Sequence, residues 1–171
     1  SAFGSHGNGG DLSELLQDDS FLLRSALTFD WCAVLDRCGI LMEIFSTSVR
    51  DRDYKDHQKL QQLARDQLAF KDPWNNSVLH AVCYNCAPLE VVQAILGAST
   101  AVEPPIRMTA ECRRTDESTP LLVACAMGCI PSVLQALLQH DADIFPSSMA
   151  QGSALTMVDI TRNADTLGNT P

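Results

Sequence analysis

Basic residues are scarce in this chain: 12 Lys and Arg stand against 21 Asp and Glu, leaving a formal charge of −9. Phosphate backbones and anionic bilayers are held by clustered cations, so non-specific binding to nucleic acid or to a membrane surface is excluded. The local basic pair, Arg113 and Arg114, is flanked by acids. Long apolar runs are missing too. Nothing approaches the roughly 20 residues that span a bilayer, and the N-terminal stretch lacks the charged start and apolar middle of a secretory signal. Cysteines number seven, an odd count, and most sit inside apolar helical patterns where a thiol acts as a small buried hydrophobe. The expected location is therefore intracellular and reducing, cytoplasmic or nuclear. Asn75-Asn76-Ser77 has the form of a glycosylation acceptor, but nothing else points to secretion.

Signatures of catalysis are also lacking: no G-x-S-x-G, no Gly-rich phosphate loop and no H-E-x-x-H. Outside the first ten residues the candidate bases are His57, His80 and His140. His57 falls in the charged run from Arg50 to Lys59, read as a solvated helix start. His140 falls at the end of a predicted helix, where a cation suits the dipole. Asp18, Asp19, Asp51, Asp53 and Asp56 lie near predicted helix starts and read as caps, without the spacing of a calcium loop. His80, Cys83 and Cys86 form H-x-x-C-x-x-C, which offers zinc three ligands, and Cys125 and Cys129 make a second thiol pair. Comparison of the chain with itself, which lays Cys83 on Cys125, weakens the metal reading. No catalytic, cofactor or metal residue is assigned, and the chain is read as non-enzymatic.

With 171 residues, 46% of them hydrophobic, the chain can bury a core without metal or disulfide staples. Residues 1–10 are read as a flexible tail or expression remnant and set aside. Sliding the rest along itself exposes a repeat. A shift of 42 places lays Ser77-Val78-Leu79 on Thr119-Pro120-Leu121, Cys83 on Cys125, and the run from Val91 to Leu96 on that from Val133 to Leu138. Each copy reads as two short antiparallel helices. Ile130, Val133, Leu134, Leu137 and Leu138 fall at the helical spacing that forms one buried stripe. Ser77 and Thr119 are the expected N-caps of the first helices, Pro120 suits a first helical position, and Gly128 suits the left-handed residue after it. Neither helix can bury its apolar face alone, so copies must stack.

The run from Thr119 to Gly128, followed by Leu137-Leu138 and Asp141-Ala142-Asp143, resembles the ankyrin repeat, whose first helix opens with Thr-Pro-Leu-His. Ser77-Val78-Leu79-His80-Ala81 resembles it as well, with His80 at the signature histidine, which in that family hydrogen-bonds neighbouring backbone. Departures are Asn75, Cys86 and Glu117 where the family carries Gly, and Leu122 at the signature His. The resemblance implies an all-α, ankyrin-like helix-turn-helix solenoid over residues 11–171. It divides into a degenerate unit near 20–46, an inserted helical segment near 51–70, a repeat at 72–98, an inserted loop at 99–115, a repeat at 116–143 and a truncated capping repeat at 150–165. The last begins around Gly152-Ser153-Ala154-Leu155.

The function implied is protein recognition, as a scaffold or regulator, through the concave face of the first helices and the finger loops before them. An assembly subunit of a larger complex and a cysteine-based metal or redox switch are the alternatives. Carried over position by position, the face comprises Ala81, Tyr84 and Asn85 from one repeat and Val123, Ala126 and Met127 from the next. The fingers offer Trp74 and Asn75 beside Asp72, then Arg114 and Asp116 beside Arg113 and Glu117. The expected partner is a protein, with no nucleic acid and no membrane, and the chain is a monomer or part of a larger assembly.

Overall fold

A computed structural model describes residues 11–48, 54–113 and 115–144. Every regular element among them is helical: α1 (Leu12–Leu15), α2 (Phe21–Leu27), α3 (Trp31–Ser46), α4 (Tyr54–Ala69), α5 (Val78–Tyr84), α6 (Leu89–Ala101), α7 (Pro120–Met127) and α8 (Pro131–Ile144), with a 3-10 turn at Met108–Ala110. The all-α solenoid expected from the resemblance is what forms. The flexible tail and the truncated capping repeat lie outside the described residues, as does Arg114.

Three helix pairs stack: α2 with α3, α5 with α6, and α7 with α8. The first helices form one layer, in which α5 packs against both α2 and α7, and the second helices form another, in which α6 packs against α3 and α8. The caps explain where these helices begin. Asp30 accepts from the Ala33 N–H ahead of α3, and Thr119 accepts from the Leu122 N–H ahead of α7. Ser77 accepts from the His80 N–H, while the His80 ring accepts from the Ser77 N–H, a reciprocal capping box.

The turn inside each pair is the same turn three times. Phe29, Cys86 and Gly128 each adopt a left-handed conformation, with φ of 62°, 49° and 73°. Behind them run equivalent backbone bonds, Asp30 N–H to Ser25 carbonyl, Ala87 N–H to Val82 carbonyl and Cys129 N–H to Ala124 carbonyl. These bonds satisfy carbonyls that the end of a helix leaves free. Unit one thus belongs to the same repeat geometry although its turn residue is Phe, for which a positive φ costs about 1–2 kcal/mol.

One continuous core runs through all three pairs, with Leu22, Val34, Leu41, Leu79, Val92, Ile95, Val133 and Leu137 buried in it. Full burial of each such side chain stabilises by about 1.5–3 kcal/mol relative to exposure. The insertions extend this core rather than hang from it. α4 is a polar helix that buries Ala64, Gln67 and Leu68 against α3, with further contacts to α1, α2 and α6. A buried guanidinium ties these elements together. Arg37 donates to the Leu15 carbonyl at 3.0 Å and to Gln67 Oε1 at 2.9 Å, and lies 3.8 Å over the Phe21 ring. Between α6 and α7 the chain buries Met108, and Arg107 and Thr109 both bond the Asp141 carboxylate on α8.

Several local expectations need correction. Of the stripe expected to be buried, Val133 and Leu137 are, but Ile130 precedes α8 and is exposed, as is Leu138 on the face that no described unit covers. Four of the seven cysteines, Cys32, Cys86, Cys112 and Cys125, are exposed. α8 continues to Ile144, so His140 lies within the helix, its Nε2 3.4 Å from Thr100 Oγ1, and burial lowers its pKa instead of the dipole favouring its cation. His57 is half-buried in α4 with Nε2 covered, not a freely solvated side chain. Asp18 does not cap α2; its carboxylate accepts from Ser20 Oγ and pairs with Arg24, which releases it from the helix start. Asp51 and Asp53 lie outside the described residues.

Candidate protein-binding face

The layer of first helices determines which side chains reach solvent. α5 is covered on two sides, so Val78 through Cys83 are all buried and Tyr84, its last residue, emerges 51% exposed. Ala81 and Val123, equivalent under the shift of 42, were expected on the open face but are each only 3% exposed and belong to the core. The close approach of neighbouring first helices to α5 covers the small Ala81, and α5 and the Met108 turn both press on α7. Neither residue contributes surface. Asn85 is half-buried and its amide donates to the Ala26 carbonyl at 2.9 Å, joining the second unit to the first.

Ala126 and Met127 are exposed, Met127 at 42%. With Tyr84 they mark the C-terminal ends of the first helices. Aligning the three left-handed turns adds residues that the sequence reading missed. Leu27 stands in α2 where Tyr84 and Ala126 stand in α5 and α7, two places before each turn residue, and it too is exposed. Phe29 occupies the turn itself, exposed, with its ring 5.7 Å from the Trp31 ring in an edge contact. Ile130 is exposed just after the third turn. An apolar row therefore crosses all three units, through Leu27, Phe29, Tyr84, Met127 and Ile130, and a shallow recess beside it is lined by Phe21, Arg24 and Thr28. Among the described residues, neither α4 nor the segment between α6 and α7 hides Tyr84 or Met127.

The fingers lie at the other ends of the same helices. Trp74 is exposed, and its N–H donates to Asp72 Oδ1. Six residues of α5, about 9 Å of helix, intervene before Tyr84. Asn75 and Glu117 take the left-handed conformation that the family gives to glycine, at φ of 66° and 57°. The Asn75 amide donates to the Cys112 carbonyl, and Asp116 pairs with Arg113 and accepts from the Ser118 N–H. These contacts hold Asn75 and Asp116 in place as parts of the finger turns. Desolvation raises the pKa of Asp116, but the Ser118 N–H and the Arg113 pair together outweigh it and leave the carboxyl below its ordinary value.

His80 and the cysteines occupy a different setting from a metal site. Both ring nitrogens of His80 are engaged: Nδ1 with Ser77, and Nε2 with the Ser118 carbonyl at 3.0 Å. The Ser77 N–H identifies Nδ1 as acceptor, leaving Nε2 to carry the proton. Burial is the main cause that lowers the His80 pKa, so the ring is neutral and links the two fingers. Cys83 is fully buried, and burial pushes its thiol far up. Among the described residues no cluster of three or more His, Cys, Asp or Glu is arranged to hold a metal ion.

The family model for the ankyrin repeat matches residues 116–145, the α7–α8 pair with the finger before it. The chain carries an ankyrin repeat. No curated protein and no solved structure matches it. The two other helix pairs share the left-handed turn and backbone bonds of the matched pair, so the fold is an ankyrin-like helical repeat. Ankyrin repeats are in general non-enzymatic modules of protein–protein interaction. No helix among the described residues is long and apolar enough to cross a membrane.

Proposed function

We propose that this chain binds a protein partner through the row of exposed apolar side chains at the C-terminal ends of its first helices, with Leu27, Tyr84 and Met127 as its centre and Trp74 and Arg114 of the fingers as its outer contacts. The observation that carries the reading is the recurrence of exposed apolar side chains at the same end of three stacked units. Large apolar side chains in contiguous exposed rows mark interaction sites, whereas single ones need no explanation. Tyr and Trp supply anchoring area at low entropic cost, and Met adapts to an irregular partner. The role that fits such a module is scaffolding or regulation in a reducing intracellular compartment. The test is capture of interacting protein from the native source on the immobilised chain and on its Tyr84→Ala/Met127→Ala variant. The substituted residues are exposed, so helicity is expected to persist while the captured protein is lost.

A second contact is favoured by the α7–α8 end of the described array. Leu122, Cys125 and Leu138 are exposed, although their equivalents His80, Cys83 and Leu96 in the preceding unit are buried. In a stacked array each unit covers its neighbour. We propose that the stretch beginning at Gly152, with Leu155, Met157 and Val158, takes the place of the next unit on this face. Cys125 reports on it: alkylation in the full chain should be at least tenfold slower than in a chain ending at residue 148. Equal rates would rule this covering out.

A further inference from the structure

The inter-helix turns of the second and third units carry a pair of thiols that the binding face does not use. Cys86 occupies the left-handed turn residue between α5 and α6 and is exposed. Cys129 follows the left-handed Gly128 between α7 and α8 and is buried. Stacking of the two units brings the sulfurs to 3.5 Å, van der Waals contact. The Cys129 thiol is within donor reach of both Cys86 Sγ and the Cys83 carbonyl, the latter at 3.1 Å, and the Cys86 thiol lies 3.5 Å from the Met127 carbonyl. A disulfide bond of about 2.05 Å requires a further approach of about 1.5 Å. Cys83 and Cys125 lie nearby, but the touching sulfurs are those of Cys86 and Cys129.

We propose that Cys86 and Cys129 are a modification site: a dithiol that a low-molecular-weight disulfide such as glutathione disulfide oxidises to an internal bond, stapling the second unit to the third. The exposed Cys86 reacts first. Its thiolate attacks one sulfur of the small disulfide, forming a mixed disulfide and releasing one small thiolate, which takes up a proton. Cys129, as thiolate, then attacks Cys86 Sγ, the Cys86–S-glutathione bond breaks, and the second small thiol leaves. Two protein thiols are oxidised and one small disulfide is reduced to two thiols. The division of labour follows from exposure: Cys86 meets the reagent, and Cys129, shielded from it, resolves the adduct. Burial, then the adjacent Cys86, raises the pKa of Cys129. The resolving step should accelerate about tenfold per pH unit from 7 to 9 as the thiolate fraction grows.

The test incubates the fully reduced chain with glutathione disulfide, blocks remaining thiols by alkylation and maps the products by mass spectrometry. The expected product is a Cys86–Cys129 cross-link lacking two hydrogens, reversed by dithiothreitol and accompanied by a higher Tm. Cys129→Ala places at 129 the residue that stands at the equivalent Ala87, and should trap one glutathione on Cys86. Cys86→Ser should leave Cys129 unmodified in the folded chain. A mixed disulfide at Cys86 that persists in the unsubstituted chain at pH 9 would overturn the proposal. So would a Cys86 that stays unreacted, or one cross-linked to Cys125 or to a second chain in place of Cys129.

Discussion

Leu137→Ala tests whether the second-helix layer is packed as described. Leu137 is 2% exposed on α8, which rests against α6, so almost the whole side chain is out of water. Truncation to Ala removes three carbon groups, about 2.4 kcal/mol of transfer free energy at ~0.8 kcal/mol each. A cavity adds to that, and measured Leu→Ala costs run from about 2 to 5 kcal/mol. α8 is the outermost described helix and can settle inward on α6, which places the expected cost near 2.5–3.5 kcal/mol. Leu96 is 4% exposed on α6, where α3, α5 and α8 surround it, so Leu96→Ala has less room to relax and should cost at least as much. Gln135→Ala, an exposed position on the same helix as Leu137, should change stability by no more than about 0.5 kcal/mol. Urea denaturation followed by circular dichroism reads the difference. With a slope of about 2 kcal/mol per molar, Leu137→Ala should lower the midpoint by about 1.2–1.8 M and Gln135→Ala by under about 0.3 M. Equal shifts for the two would refute the register of α8, and with it the stack built on that helix.

Other consequences can be measured on the same footing. Glu117 is exposed at a φ of 57°, so Glu117→Gly should relieve left-handed strain and raise stability by about 1 kcal/mol in the same assay. Arg37→Ala should cost about 3 kcal/mol, because the buried Gln67 amide and the Leu15 carbonyl both lose a charged donor. His80 is held with its pKa below the ordinary 6.5, mainly by burial, so its contribution to stability is present above pH 6.5 and lost as the pH falls through the depressed folded value. The unfolded chain takes up the proton first. Melting temperature should therefore drop between pH 7 and pH 5, and His80→Gln should flatten that slope in part, the remainder belonging to His140, which is shifted the same way.

The two later helix pairs were legible in the sequence because their caps, Gly128 and most of their apolar spacing agree, and a direct shift of 42 superposes them; Ile130 and Leu138, expected in the buried stripe, are exposed. The first pair was less so. Its likeness to the others resides in backbone conformation at Phe29, a residue type that gives no hint of a left-handed turn, and α4 separates it from the second pair. Leu27 and Phe29 were missed for that reason, since only the turn alignment brings them into line with Tyr84 and Met127. Ala81 and Val123 illustrate the opposite error. Helical spacing and the family pattern put both on the open face, but spacing says nothing of how closely the neighbouring helix approaches. Asn75 and Asp116 could be placed in the fingers from sequence, whereas their bonds to Cys112, Arg113 and Ser118 depend on how the inserted segment folds back.

The central claim, that the exposed row across the first helices recognises a protein, is tested most directly by comparing what the intact chain and the Tyr84→Ala/Met127→Ala variant capture, with helicity and melting temperature recorded for both. The account predicts equal helicity, a Tm unchanged within a few degrees, and at least a tenfold loss of one or more captured proteins. Capture of the same proteins in the same amounts by a variant that remains folded would contradict it.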